Sequence, residues 1–338
     1  MLADAVLAVM WAGLTCYALF GGADFGAGLW DLLAGGSRRG REQRALIEHA
    51  IGPVWEANHV WLIFVVVILW TGFPTVFAAV MSTLYLPLTL TALGIIARGA
   101  AFAFRKASTG LWQQRLFGAC FAGSSVVTPF FLGTVAGAVA SDRVPPGLAT
   151  GNLITSWLNP TSVLGGFLAV LACAHVAAVY LCADAARGGH QELATAFRRR
   201  ALASGLLSGI VALAGIAVLH ADAPRLFHGL THRALPLIVL SAVAGTAGLR
   251  LLVLGRWAWA RAAAALAVAA VLWAWGAAQY PLMLHPGVTV ASAAAQGPVL
   301  VGTLVVFAVG AAVVVPSLLW LYSLAQRDPH HPGASDVA

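Results

Sequence analysis

Apolar residues run in long, nearly unbroken stretches along this chain, separated by short polar segments. No stretch alternates with the two-residue period of a half-buried strand. Nine segments reach the roughly 20 apolar residues that a helix needs to cross a hydrocarbon core. They are 4–34, 54–72, 75–103, 113–139, 161–183, 202–221, 234–254, 262–280 and 296–324. A helix satisfies its own backbone in lipid, so the pattern predicts an all-α integral membrane protein of nine spans. Punctuation agrees with the boundaries. Gly72-Phe73-Pro74 predicts a tight hairpin between the second and third spans, and Asn159-Pro160 predicts an N-cap and first helical residue for the fifth. Pro281 ends the eighth. Segments 40–50 and 188–200 read as short interfacial helices, with Arg198, Arg199 and Arg200 turned to anionic headgroups. The tail after Arg327 reads as a polar, disordered end.

Composition sharpens the class. Of 338 residues, 60% are hydrophobic and only 9% are charged, against about 25% charged in a soluble domain. That excludes a soluble enzyme and a nucleic-acid-binding module, despite a net charge of +7. The 36 glycines suit close helix contacts in lipid. The four cysteines lie in or beside apolar runs without CxxC spacing and read as small apolar residues. No basic region precedes the first apolar run, so a cleaved signal peptide is not expected.

The charges set an orientation. One set of connecting segments holds Arg38, Arg39, Arg41, Arg44, Arg105, Lys106, Arg115, Arg187, Arg198, Arg199, Arg200, Arg250, Arg256, Arg261 and Arg327, 15 of the 19 basic residues. The opposite set holds Arg143, Arg225 and Arg233, and Arg98 falls inside a span. Basic loops stay cytoplasmic, so the N-terminus is expected outside and the C-terminus inside.

Ionised groups in lipid cost about 2.5–3.5 kcal/mol each, which makes the ones present informative. Asp24 sits about 20 residues into the first span, roughly 30 Å along the helix and close to the inner face. Glu56 sits one turn into the second span, which starts at that face. His59 shares its side of the helix, and Asn58 lies on an adjoining stripe. Two carboxylates and an imidazole at one depth suit a proton relay. Arg98, near the inner end of the third span, is placed to hold one carboxylate ionised. Asp4 and Asp31, nearer helix ends, are expected to snorkel or cap. His175, mid-span, is expected to be a packed, hydrogen-bonded histidine rather than a haem ligand.

Several of these residues stand in recognisable motifs. Gly22-Ala23-Asp24-Phe25-Gly26-Ala27-Gly28 and Gly52-Pro53-Val54-Trp55-Glu56-Ala57-Asn58-His59-Val60-Trp61-Leu62 resemble signature segments of subunit II of the cytochrome bd quinol oxidases. Supporting matches follow in order: Phe73-Pro74, Tyr85-Leu86-Pro87, Arg98 to Arg105, Leu158-Asn159-Pro160, Leu164-Gly165-Gly166 and Tyr280-Pro281-Leu282-Met283. The resemblance implies two four-helix bundles plus one peripheral helix, divided here as 1–139, 140–280 and 281–324, with a cytoplasmic tail at 325–338. It implies a bacterial inner-membrane complex that oxidises quinol and reduces dioxygen to water. In such a complex the partner, subunit I, carries the b- and d-type haems and the quinol site, and this chain binds no haem or metal and has no activity alone. A small accessory single-span subunit, membrane lipid and a bound quinone are further associations that the resemblance allows. Asp24 and Glu56 match carboxylates thought to feed protons towards the haem site, and Trp61 matches a tryptophan near an oxygen route.

The chain departs from the family at four of these places. Gly21 stands where an acidic residue is common, Glu56 replaces Asp, His59 replaces Glu or Gln, and Ala103 replaces Glu. Two acidic groups are thus missing and one imidazole is gained. The competing reading is a secondary transporter with a carboxylate-lined site. A transporter should carry polar residues at mid-bilayer on helices of both halves, whereas here they crowd into the first spans.

Overall fold

The computed structural model describes residues 1–35, 40–51, 55–108 and 110–327, with the side chains of 51, 55–57, 106, 111, 322 and 324–327 outside that description. Arg38, Arg39, Gly52, Pro53, Val54 and the tail from 328 therefore lie outside the described residues. The chain is almost wholly helical. The first span is α1 (Leu2–Leu32). It is followed by a short amphipathic helix α2 (Arg41–Ile51), then α3 (Trp55–Gly72), α4 (Pro74–Thr83) and α5 (Tyr85–Ala107). Next come α6 (Leu111–Ala140), α7 (Pro160–Arg187), α8 (Gln191–Asp222), α9 (Pro224–His232), α10 (Leu235–Val253) and α11 (Trp257–Gln279). A small hairpin, β1 (Leu282–Leu284) and β2 (Val288–Thr289), leads through α12 (Val290–Ala293) to α13 (Gly297–Arg327).

Among the described residues, eight helices are long and apolar enough to cross a membrane, and each corresponds to all or part of a predicted span. The second predicted span is α3, whose described apolar part, Asn58–Gly72, is shorter. The third is interrupted at Leu84, between α4 and α5. The cause is Pro87. A proline ring clashes with the carbonyl four residues earlier and has no N–H to offer it, and that carbonyl belongs to Thr83, the last residue of α4. Two other expectations are corrected. Segment 188–200 is no separate interfacial helix but the start of the 32-residue α8. The link after Pro281 contains strands, pairing Leu282 with Thr289 and Leu284 with Val288. Gly287, at φ +79°, supplies the left-handed residue that a three-residue hairpin loop needs. The expected cap is present: Asn159 Oδ1 accepts from Ser162 N at 2.9 Å, with Pro160 at the first helical position.

Glycines decide how closely the spans approach. A side chain at Gly26 on α1 would overlap the Cys173 carbonyl of α7, and one at Gly28 would overlap Ser125 of α6. Gly133 and Gly137 of α6 face Gly165 and Ser162 of α7 in the same way. Such contacts bring backbones together where lipid provides no hydrophobic drive between helices. The C-terminal half of α1 is thereby wedged between α6 and α7, and α5 packs on α6. Two apolar clusters result. One, around Trp30, Phe121, Phe197 and Leu252, lies at the Asp31 end. The other, around Val6, Phe73, Leu84 and Met283, lies at the opposite end. By contrast α13 exposes Val305, Val306, Val309, Leu319 and Trp320.

Candidate functional site: a buried charge ladder

Within α1, Tyr17–Gly21 form a π-helical turn, one turn before Asp24. A wide turn inserts an extra residue and rotates everything after it by about 100° relative to a regular helix. The segment that follows buries Asp24, Phe25, Gly26, Ala27, Gly28, Trp30 and Asp31. Two carboxylates seven residues apart thus point inward, towards α5.

Arg98 of α5 meets the first of them. Its side chain is 1% exposed and Asp24 is 3% exposed. Arg98 Nη1 donates to Asp24 Oδ2 at 2.7 Å, and Nη2 donates to Oδ1 at 2.9 Å and to the Asp24 carbonyl at 3.0 Å. Nε donates to Ser125 Oγ of α6 at 2.9 Å. The guanidinium carbon lies 5.0 Å from the Phe25 ring centroid and 4.6 Å from that of Phe121. A buried charge is tolerated when its partner and its hydrogen bonds are all in place. Here three helices supply them.

A second rung departs from the expectation for Asp31. Asp31 neither snorkels nor caps. It is buried, with Arg105 Nη1 donating to its Oδ2 at 2.7 Å and Arg44 Nε of α2 at 3.2 Å from its Oδ1. The signal was present in the spacing: Asp24 and Asp31 are seven apart on α1, Arg98 and Arg105 seven apart on α5, so two parallel helices meet twice, two turns apart. Arg200 is also corrected. It does not reach for headgroups but stacks on Trp30 and Phe197, at 5.4 and 5.0 Å, and donates to Gln43 Oε1 at 2.9 Å.

The remaining predicted residues lie on α3. His59 packs its ring 5.7 Å from Phe25 and 6.3 Å from Tyr17, so it joins the aromatic shell on which Arg98 also rests. Asn58 is buried. Glu56 falls in the first turn of α3, and its side chain lies outside the described residues. Trp61 packs on Phe64, which packs on Phe307 of α13, an aromatic line rather than part of the charge ladder. His175 Nδ1 donates to the Ala201 carbonyl at 3.0 Å and its ring lies against Gly205. That is the packed, hydrogen-bonded histidine expected. Among the described residues, no group of three or more His, Cys, Asp or Glu could hold a metal ion. Among the described residues, the buried charged side chains are Asp24, Asp31 and Arg98, on α1 and α5, and nothing there supports a transporter site spread over both halves.

Comparison with known proteins identifies the ladder's setting. The chain is 33% identical over 156 residues to cytochrome bd ubiquinol oxidase subunit 2 of Bacillus subtilis, a stretch covering 45% of this chain and 44% of that protein. It is 30% identical over 161 residues to cytochrome bd-I ubiquinol oxidase subunit 2 of Escherichia coli strain K12, covering 46% and 41%. Each match thus spans less than half the length of the relative. The fold matches that of a chain in the structure of bd oxidase from Geobacillus thermodenitrificans, with a TM-score of 0.73 at 22% identity over 97% of this chain and 99% of that one. A family model for cytochrome bd terminal oxidase subunit II matches residues 2–325. The chain belongs to the cytochrome bd terminal oxidase subunit II family.

Proposed function

We propose that this chain is the haem-free half of a bacterial quinol oxidase, assembled in the inner membrane with a haem-bearing subunit I. The family match across residues 2–325 carries this reading. The haems of the partner supply electron transfer and dioxygen reduction, and this chain alone catalyses nothing. The charge asymmetry of its loops sets the N-terminus outside and the C-terminus in the cytoplasm. Residues 1–139 and 140–280 form two four-helix bundles, with α13 peripheral to both. The clamp on Asp24 supports a fixed-charge role for that residue. Both of its carboxylate oxygens accept from Arg98, and breaking such a buried pair from one side costs several kcal/mol. Proton delivery from the cytoplasm then falls to Glu56 and His59 near the start of α3, with Asn58 in support. The apolar aromatic line of Trp61, Phe64 and Phe307 suits passage of dioxygen.

One experiment addresses function and relay together. Quinol-driven oxygen uptake is recorded against pH in membranes carrying the wild-type chain, the Glu56→Gln variant, or no chain. Uptake is expected with the wild type and absent without the chain. The Glu56→Gln membranes should lose about 100-fold or more, the lower end of the usual 10²–10⁴ scale for a proton-transfer group. Unchanged uptake by Glu56→Gln at every pH removes the relay. Normal uptake without the chain removes the oxidase reading.

A further inference from the structure

An open cavity of about 710 Å³ lies at the Asp31 end of the molecule, away from the charge ladder, between the C-terminus of α7 and the first turns of α8 and α11. Its polar lining is Arg187, Arg261, Gln191 and Tyr180, and Trp257 with alanines of α7 and α11 supplies apolar lining. The size falls in the range of small-molecule sites, about 300–1,000 Å³.

We propose that this cavity binds the phosphodiester headgroup of an anionic phospholipid. The charge balance is the first argument. Arg261 Nη1 lies 3.1 Å and Arg187 Nη2 3.6 Å from the same oxygen, Asp184 Oδ1. One carboxylate shared by two guanidinia leaves a full positive charge facing the cavity. The other nearby acid, Glu192, is exposed and outside the lining. Arg261 is also braced over the Tyr180 ring, its guanidinium carbon 4.6 Å from the centroid, so its fork is held in place before any ligand arrives. Position is the second argument. The cavity lies at the ends of three helices long and apolar enough to span a membrane: α7 finishes there, and α8 and α11 begin. Helix N-termini carry partial positive charge and favour anions. Basic pockets between spans at the cytoplasmic side recognise anionic headgroups. The alanines in the lining offer apolar surface to an acyl chain, and Trp257 is the kind of side chain that sits where apolar and polar surroundings meet.

The test uses the full chain in its purified complex, titrated with phosphatidylglycerol or phosphatidylcholine and read by native mass spectrometry. Wild type should retain phosphatidylglycerol in preference to phosphatidylcholine. The double variant Arg187→Gln/Arg261→Gln should weaken that binding on the order of 30-fold, from two surface cations. Arg199→Gln, on the same side but outside the cavity, should leave it unchanged. Asp184→Asn should tighten it, a change of sign that a purely structural role would not produce. Arg261→Lys keeps the charge and should lose only a few-fold, which covers the case of a double variant that fails to assemble. Equal binding by wild type and the double variant overturns the proposal, as does equal binding of the two lipids. Displacement of the lipid by excess inorganic phosphate also overturns it, because the site would then be one for the free anion.

Discussion

Replacing Arg98 with Met should remove most of the assembled protein from the membrane. The substitution leaves Asp24 buried at 3% exposure with both carboxylate oxygens stripped of their partner. Breaking a buried pair from one side costs about 3–5 kcal/mol. The two contacts to the Phe25 and Phe121 rings are lost with it. The double variant Asp24→Leu/Arg98→Met should recover much of that loss, because two apolar side chains of similar volume leave no unpaired charge. The measurement is the amount of chain extracted in mild detergent, with the thermal midpoint of the purified complex. An Arg98→Met protein that accumulates like wild type contradicts the account, as does a double variant worse than the single.

The second large effect is expected at Gly26. Any side chain there would overlap the Cys173 carbonyl and the Ala177 side chain. A backbone carbonyl cannot swing aside, so α1 and α7 must separate. Gly26→Val should cost at least the 1–3 kcal/mol typical of overpacking, and more if the Arg98–Asp24 pair is pulled apart by the same shift. Gly118→Ala on α6, where nothing lies within 4 Å, should leave the yield unchanged. A Gly26→Val chain as stable as the Gly118→Ala chain would show that the close approach of α1 and α7 is unimportant.

Much of the fold is legible in the sequence because lipid simplifies the problem. Backbone groups must pair within a helix, so hydropathy marks the spans. Asn159 and Pro160 mark a start for the same local reasons that they do in water. What escapes the pattern depends on side chains meeting across helices. The break at Leu84 follows from Pro87 but hides inside an apolar run that reads as continuous. Arg198 to Arg200 look like a solvent-facing cluster, yet no breaker stops α8 between Gln191 and Asp222, and Arg200 finds aromatic partners instead. Asp31 looks like a snorkelling end residue until α5 delivers Arg105 to it. The π-helical turn before Asp24 leaves no mark in hydropathy, although it sets which residues of α1 turn inward. Arg98, inside an apolar run, is legible as a group that needs a buried partner. That its partner is Asp24, with Ser125 and two aromatic rings completing the cage, is a tertiary fact.

The central claim is that this chain serves a pigment-bearing partner and carries no pigment itself. The direct measurement is the optical spectrum and haem content of the tagged chain, purified once from cells expressing it alone and once from cells that also express its subunit I. The account predicts a colourless polypeptide in the first case. In the second it predicts a haem-containing complex in equal proportions of the two chains. A chain that emerges coloured on its own, with stoichiometric haem, would contradict it.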